Sequence, residues 1–319
     1  MLKQRLPANA VLASNRIGAY IRKTPLDYST WFSNETGANV YLKLENLQHT
    51  GSFKARGAFN KLLTMTEDER KTGCVAASSG NHGAATAYAM ARLGVSGIVF
   101  VPEHTSTTKV SAIRDAGGDI RFFGSDGLDT EVHARDFAER HAMHYISPYN
   151  DADIIAGQGT CGVEIASDLS KVDAVFVAVG GGGLISGVGA FLKSVNPGVT
   201  VVACQPEASP VMTRSVEAGR ILELASDPTL SDGTAGGIEA DAITFDLCRS
   251  IADDYVLLSE EEIAAAMRAF IDAHHMLLEG AAGVALAGVL ARARDYEGKN
   301  IVAIVCGGNI SRDTLKSVI

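Results

Sequence analysis

A lysine stands at a point in the sequence where its amine could be reactive. The segment ENLQHTGSFKARGA places Lys54 directly after a glycine–serine pair, at a predicted helix start, with Ser52 as a candidate N-cap and Phe53 beside it. The positive end of a helix dipole and apolar neighbours both disfavour a protonated amine. Lys54 is therefore a candidate nucleophile that could form a Schiff base with an aldehyde. Taken alone, the segment is also compatible with an ordinary solvated lysine beside Arg56.

Two predicted strand-to-helix turns have the composition of anion sites. The turn in AASSGNHGAA offers backbone N–H groups and short side chains that suit a carboxylate. The turn in DAVFVAVGGGGLISG has four consecutive glycines, whose backbone can wrap a phosphate at a helix N-terminus. An ordinary capped turn explains the first segment equally well, and a structural glycine hinge remains open for the second.

The glycine run does not match the common nucleotide-binding motifs. The pattern GxxxxGK[ST] is absent, and no reading frame gives GxGxxG. A fourth segment, NIVAIVCGGNIS, ends a predicted strand at Cys306. Its thiol is either buried in the core or faces a heteroaromatic nitrogen that stays unprotonated.

The composition excludes several classes of protein. The chain has 319 residues, 46% hydrophobic residues and a net charge of -9, which fits a globular protein of two domains and argues against binding to nucleic acid or an anionic membrane. The five cysteines are widely spaced without a CxxC pair, so neither a disulfide framework nor a zinc site is indicated. No signal peptide or membrane-spanning stretch is recognisable, and we expect a cytoplasmic protein.

Short apolar runs alternate with segments of helical period, which predicts an α/β fold with open, mostly parallel twisted sheets flanked by helices. The predicted strands are NVYLKLE, GCVAAS, SGIVFV, DIRFFG, DAVFVAV, VTVVACQ and NIVAIV. The predicted helices are 52–63, 81–93, 107–116, 129–141, 155–169, 184–195, 260–273 and 282–293.

Together, and in this order, the segments resemble the fold type II pyridoxal-phosphate enzymes, most closely the threonine/serine dehydratase and serine racemase group. The resemblance spans nearly the whole chain and is carried by KTPL at 23–26, GSFKARGA, SSGNHG, IAGQGT at 155–160, GGGGL, the pair Asp232-Gly233, LEGAAG around Glu279, and CGGN. It implies a tryptophan synthase β-like architecture. A discontinuous large domain (1–65 and 149–319) would bind the cofactor, and a small mobile domain (66–148) would close over the substrate.

The resemblance also implies residue roles around pyridoxal 5'-phosphate. Lys54 would hold the cofactor as a Schiff base, Phe53 would pack against its ring, and Asn81 would bond the ring hydroxyl. Cys306 would face the pyridine nitrogen, and Gly233 and Glu279 would line the pocket. The phosphate would be bound by the backbone N–H groups of Gly180, Gly181, Gly182, Gly183 and Leu184. The substrate carboxylate would be gripped by Ser78, Ser79, Gly80, Asn81 and His82.

The implied reaction converts a small β-hydroxy amino acid, such as threonine or serine, to an α-keto acid and ammonia, with the freed Lys54 amine as the general base. Ser79 keeps racemisation open, because racemases of this group have a serine at the matching place. Gln205 stands where the racemase pattern has an acidic metal ligand, and we expect no metal ion. The substrates 3-hydroxyaspartate, phenylserine and that of hydroxyectoine breakdown remain open. A homodimer is usual in this group.

Two other classes of protein remain as alternatives. A nucleotide-dependent oxidoreductase would use the glycine-rich turn together with Glu207 at a ribose-binding distance, but it leaves GSFK and SSGNHG unexplained. A non-catalytic amino-acid-binding protein is the other alternative, although the lysine and glycine loops are intact.

Overall fold

The computed structural model describes residues 2–319, and its strands form two separate sheets. The strands are β1 (Leu26–Tyr28), β2 (Asn39–Leu44), β3 (Cys74–Ala77), β4 (Gly97–Val101), β5 (Asp119–Phe122), β6 (His144–Tyr145), β7 (Ala174–Ala178), β8 (Thr200–Pro206), β9 (Asp254–Leu258) and β10 (Asn300–Val305). The helices are α1 (Leu2–Ile17), α2 (Thr30–Thr36), α3 (Lys54–Thr64), α4 (Glu67–Thr72), α5 (Asn81–Leu93), α6 (Thr107–Asp115), α7 (Gly127–Arg140), α8 (Ala152–Asp168), α9 (Gly183–Val195), α10 (Val211–Ala218), α11 (Ile243–Ile251), α12 (Glu260–His274), α13 (Gly280–Arg292) and α14 (Arg312–Val318).

The larger sheet has six strands in the order β1-β2-β10-β7-β8-β9. Only β1 is antiparallel to its neighbour, and the other pairs are parallel. Its central strands β7 and β10 are almost entirely apolar, because helices cover both faces of a parallel sheet. The main hydrophobic core lies between this sheet and its helices.

The smaller sheet has four parallel strands in the order β5-β4-β3-β6. Its strands and the helices α5, α6 and α7 come from one continuous stretch of chain, and its residues form most of two smaller apolar clusters. The predicted α/β class with mostly parallel sheets is confirmed.

All seven predicted strands are present, and each of the eight predicted helices overlaps an observed one. The sequence reasoning missed the short strands β1 and β6, the strand β9 and the helices α1, α2, α4, α10, α11 and α14. The predicted cap at Ser52 is wrong: Phe53 occupies the N-cap position of α3, and the buried Ser52 hydroxyl has no hydrogen-bond partner among residues 2–319. Ser52 instead pairs with Gly307 in an isolated antiparallel bridge, so the backbone of Ser52 lies next to the end of β10.

All five cysteines are buried and unpaired. Within residues 2–319, no helix combines the length and the apolar character needed to cross a membrane.

Candidate active site

Three neighbouring strands of the larger sheet deliver the candidate residues to one edge. The strands β2, β10 and β7 lie side by side and parallel, so their carboxyl ends meet at the same place. The lysine loop follows β2, Cys306 follows β10, and the glycine run follows β7. Backbone hydrogen bonds join the first two segments, from the Phe53 N–H to the Cys306 carbonyl (3.1 Å) and from the Gly308 N–H to the Gly51 carbonyl (2.8 Å).

Lys54 is the first residue of α3, and its amine points into the site. Its Nζ donates a hydrogen bond to the Pro148 carbonyl at 2.8 Å and lies 5.2 Å from the centre of the Phe53 ring. Burial lowers the pKa of this amine from 10.5 to about 8, against the opposing influence of Cys306 and Glu279. About a tenth of the amine would therefore be neutral at pH 7, far more than for a solvated lysine.

A buried carboxyl lies close to this amine. Glu279 accepts two hydrogen bonds from the Asn81 amide, at 2.7 and 2.9 Å, and Asn309 donates in turn to the Asn81 carbonyl oxygen at 2.7 Å. Burial raises the pKa of the Glu279 carboxyl to about 7, although the Asn81 hydrogen bond lowers it. The contact joins α5 of the smaller sheet to the start of α13 beside the larger one, and Gly233 lies next to the same carboxyl.

The glycine run forms a bare concave turn. Among residues 2–319, the backbone N–H groups of Gly181, Gly182 and Gly183 donate no hydrogen bond to a protein acceptor, and they precede or open α9. A side chain on Gly181 would collide with the Tyr149 ring, and Gly182 has a left-handed φ of 84°. Free N–H groups at a helix N-terminus are the arrangement that binds phosphate.

The turn Ser78 to His82 lies at the start of α5, but its side chains differ in what they can bind. The His82 ring donates from Nε2 to the Ile146 carbonyl at 2.8 Å, and burial lowers the pKa of this imidazole to about 3. The ring is therefore neutral and already bonded, which leaves the backbone N–H of His82 for an anion. Ser78 Oγ accepts from the Gly80 N–H at 3.2 Å, whereas the half-buried Ser79 hydroxyl bonds no other group in the described chain.

The structure adds residues that sequence reasoning missed. Pro148 and Tyr149 follow β6 and contact Lys54 and the glycine run, and Thr234 lies against Gly180. Asn309 ties Asn81 to the chain after β10. The segment SPYND would have suggested a turn, but nothing in it indicated which strand ends it would meet.

The Gln205 side chain forms structural hydrogen bonds with Thr213. Its side-chain oxygen accepts from the N–H and hydroxyl of Thr213, at 2.7 and 2.6 Å. Within residues 2–319 no group of three or more histidine, cysteine, aspartate or glutamate side chains is arranged to hold a metal ion.

Several known proteins resemble this chain in sequence and in structure. A family model described as pyridoxal-phosphate dependent enzyme matches residues 17–307. An L-threonine ammonia-lyase of Thermotoga maritima is 40% identical over 299 residues, which is 94% of this chain and 74% of that protein. Among solved structures, the processed form of threonine deaminase isoform 2 from Solanum lycopersicum superposes with a TM-score of 0.94 at 33% identity, covering 99% of this chain and 92% of that one. Maize serine racemase gives a TM-score of 0.92 at 29% identity, covering 98% of this chain and 95% of that one.

Proposed function

This chain belongs to the pyridoxal-phosphate dependent enzyme family, and we propose that it removes water and ammonia from a small β-hydroxy amino acid, with threonine and serine as first candidates. The observation that carries the proposal is the buried amine of Lys54, with its lowered pKa, at the strand ends shared with a glycine turn whose N–H groups are free.

The side chains and backbone groups of the site fit pyridoxal 5'-phosphate. The Lys54 amine would bond the aldehyde and Phe53 would pack against the ring. The backbone N–H groups from Gly180 to Leu184 would hold the phosphate, and Asn81 would bond the ring hydroxyl. Burial raises the pKa of the Cys306 thiol well above its ordinary value, so this residue would present a neutral, weak donor to the pyridine nitrogen. Gly233 and Glu279 would line the pocket.

The bound cofactor would supply an electron sink for the substrate α-carbon. Lys54, freed as an amine, would take the proton from that carbon, and its depressed pKa keeps a useful fraction of the amine neutral near pH 7. The Pro148 carbonyl would orient this amine through its 2.8 Å hydrogen bond. Backbone N–H groups and the Ser78 and Ser79 hydroxyls would bind the substrate carboxylate at the start of α5. The β-hydroxyl would leave as water after receiving a proton from Lys54, and hydrolysis of the remaining enamine would give an α-keto acid and ammonium.

The domain division is part of the same proposal. Residues 66–148 would form the small mobile domain, which is supported by their contributing all four strands of the smaller sheet. Its closure would carry the substrate-binding turn towards Lys54 and exclude water. We propose a cytoplasmic homodimer, with neither nucleic acid nor membrane as a partner; the net charge of -9 supports the exclusion of nucleic acid.

Racemisation is the second candidate function, and Ser79 is the residue that favours it. Its hydroxyl has no other partner in the described chain, so it is free to exchange a proton with the substrate. If the Ser79 hydroxyl serves the opposite face of the α-carbon and not the carboxylate, replacing Ser79 by alanine should abolish any racemisation and leave the formation of keto acid from the L-substrate largely intact. Loss of both activities together would instead indicate that Ser79 binds the carboxylate.

The direct test is a substrate panel of D- and L-threonine and D- and L-serine, scored for keto acid and for change of chirality. The purified protein should show a visible absorption band that Lys54→Ala abolishes, and borohydride should fix the cofactor to Lys54. A protein with no such band, or one that binds a nicotinamide cofactor instead, would refute the proposal. The specialised substrates 3-hydroxyaspartate and phenylserine belong in the same panel.

A further inference from the structure

Directly behind the reactive lysine lies a group of four buried charged side chains that the chemistry does not use. Arg56, two residues after Lys54 on α3, is the largest fully buried side chain of the described chain. Lys43 on β2 and Glu45 just after β2 are also fully buried, and Glu164 on α8 is nearly so. Two positive and two negative charges meet here, so the group is electrically balanced.

The guanidinium of Arg56 is bonded on every side. Its Nε and one terminal nitrogen donate to Glu45 at 2.8 and 2.7 Å, and both terminal nitrogens donate to Glu164 at 2.7 and 2.9 Å. The fifth N–H meets the hydroxyl of Thr160 at 3.0 Å, and the Thr24 hydroxyl lies 3.3 Å from the terminal nitrogen that donates to both carboxylates. Such a planar fork fixes direction as well as distance, which a lysine ammonium cannot do.

Two sequence motifs that have no place in the chemistry meet in this cluster. Thr24, from the KTPL segment, also donates its hydroxyl hydrogen to Glu45, and its carbonyl accepts from Lys43 at 2.7 Å. The IAGQGT segment, on α8, supplies Thr160 and lies against the first turn of α3.

The two helices touch backbone to backbone at that point. A Cβ on Gly157 would lie 2.6 Å from both the Arg56 carbonyl oxygen and the Gly57 Cα, so only glycine fits. The Gln158 side-chain oxygen accepts from the Gly57 N–H at 3.2 Å. The first turn of α3 is therefore held by α8 through backbone contact and by Arg56 through charge.

We propose that Arg56 is a positioning residue for Lys54, and that the KTPL and IAGQGT segments hold the Arg56 side chain in place. The reactive amine must alternate between the cofactor and the substrate α-carbon, so a small displacement of its helix would misplace it in both states. Arg56 joins that helix to β2 and to α8 and prevents the displacement. This inference rests on the proposed function, because it assigns a purpose to the position of Lys54.

The test separates positioning from simple charge balance by comparing three holoenzyme variants. Arg56→Met leaves a buried carboxylate without its partner, which should destabilise the protein strongly. Arg56→Met combined with Glu45→Gln removes one charge of each sign and restores neutrality. Arg56→Lys keeps the charge and loses the fork. Lys61→Met, which removes an ion pair to Asp151 from the same helix, is the matched control.

For the neutral double variant, we expect thermal stability to recover while kcat stays depressed by about 100-fold with KM little changed, since a displacement of about 1 Å can cost that much. The absorption maximum and the pH at which the lysine–cofactor band titrates should both shift. Arg56→Lys should show the same spectral shift in a milder form, and Lys61→Met should match the wild type in all of these measurements.

A neutral double variant with wild-type kcat, wild-type band position and wild-type titration would overturn the inference and reduce Arg56 to a charge-balancing role. If neither methionine variant folds, Arg56→Lys decides by the same readouts, and wild-type values in it would equally overturn the inference. A wild-type protein that lacks the absorption band would refute the proposed function instead, so the two failures are distinguishable.

Discussion

Replacing Glu279 by glutamine tests the electrostatics of the site in a way that does not depend on catalysis. The carboxyl lies beside Gly233 and is only 5% exposed. Burial raises its pKa from 4.5 to about 7. The folded protein therefore holds a proton on Glu279 at a pH where the unfolded chain has lost it.

The sign of the effect follows from this difference. Because the folded pKa lies above the unfolded value, the stabilisation is fully present below pH 4.5 and is lost as the pH rises through 7. The difference between the two pKa values corresponds to about 3.5 kcal/mol of stability, at about 1.4 kcal/mol per pKa unit, and about 2.5 kcal/mol of this is lost between pH 5 and 8. Lys54 titrates mostly above this range, so it contributes little to the change.

The assay is urea unfolding of the cofactor-free protein at intervals from pH 5 to 8. Relative to the wild type, Glu279→Gln should flatten the pH dependence of the unfolding free energy by about 2.5 kcal/mol across that range. Glu261→Gln, at an exposed position on α12, is the control and should follow the wild-type curve. Parallel curves for the wild type and Glu279→Gln would show that this carboxyl titrates as a solvated one and that the reasoning from its burial is wrong.

Three further predictions use the same set of contacts. Lys54→Met should raise the unfolding free energy of the cofactor-free protein by up to about 3 kcal/mol at pH 7, because burial lowers the folded pKa of the amine to about 8. This gain in stability should shrink as the pH rises from 8 to 10.5, and a gain that stays constant over that range would contradict the explanation. Gly181→Ala should weaken the binding of the cofactor about tenfold or more, because the added methyl group meets the Tyr149 ring next to the free N–H groups. The release of the chromophore on dilution measures this loss, and unaltered release would argue against a phosphate site at the glycine turn. Gly157→Ala should lower the unfolding free energy by about 1 to 3 kcal/mol in a urea titration, because it forces α3 and α8 apart. Gly127→Ala, which meets no atom within 4 Å, is the control for both alanine variants, and equal stability of Gly157→Ala and Gly127→Ala would refute the close packing.

The sequence predicted the fold well where a pattern was long or strongly apolar. The strands β7 and β10 read as unbroken apolar runs because both of their faces are buried, and the helix from Asn81 to Leu93 was predicted with its observed bounds. The strands β1 and β6 have three and two residues, which is too short for any period to show. The helix α1 buries Leu6, Ala10, Ala13 and Ile17 at helical spacing, but Pro7 inside it and the exposed apolar residues Val11 and Leu12 hide that stripe in the sequence.

The buried charges could not be predicted from residue type. Lys43 and Glu45 lie within a predicted strand, and Arg56 beside Lys54, where a solvated position was the simpler interpretation. What buries them is mutual neutralisation across residues more than a hundred positions apart, through Glu164. The only available signal was Lys43 interrupting an apolar run that otherwise predicted burial on both faces.

In the candidate site, too, the chemistry of each motif could be predicted from the sequence, whereas the way the motifs come together could not. The motifs identified which groups could bind a carboxylate, a phosphate or an aldehyde, because backbone and side-chain chemistry is local. Their convergence depends on the strand order β2-β10-β7, which places the first, last and middle parts of the chain next to one another. No local pattern contains that order, and Pro148 and Tyr149 were missed for this reason: their importance comes from the neighbours that they meet after β6. A change of strand order would leave every motif intact and separate Lys54 from its glycine turn, so the chemistry of this chain is determined as much by its topology as by its reactive residues.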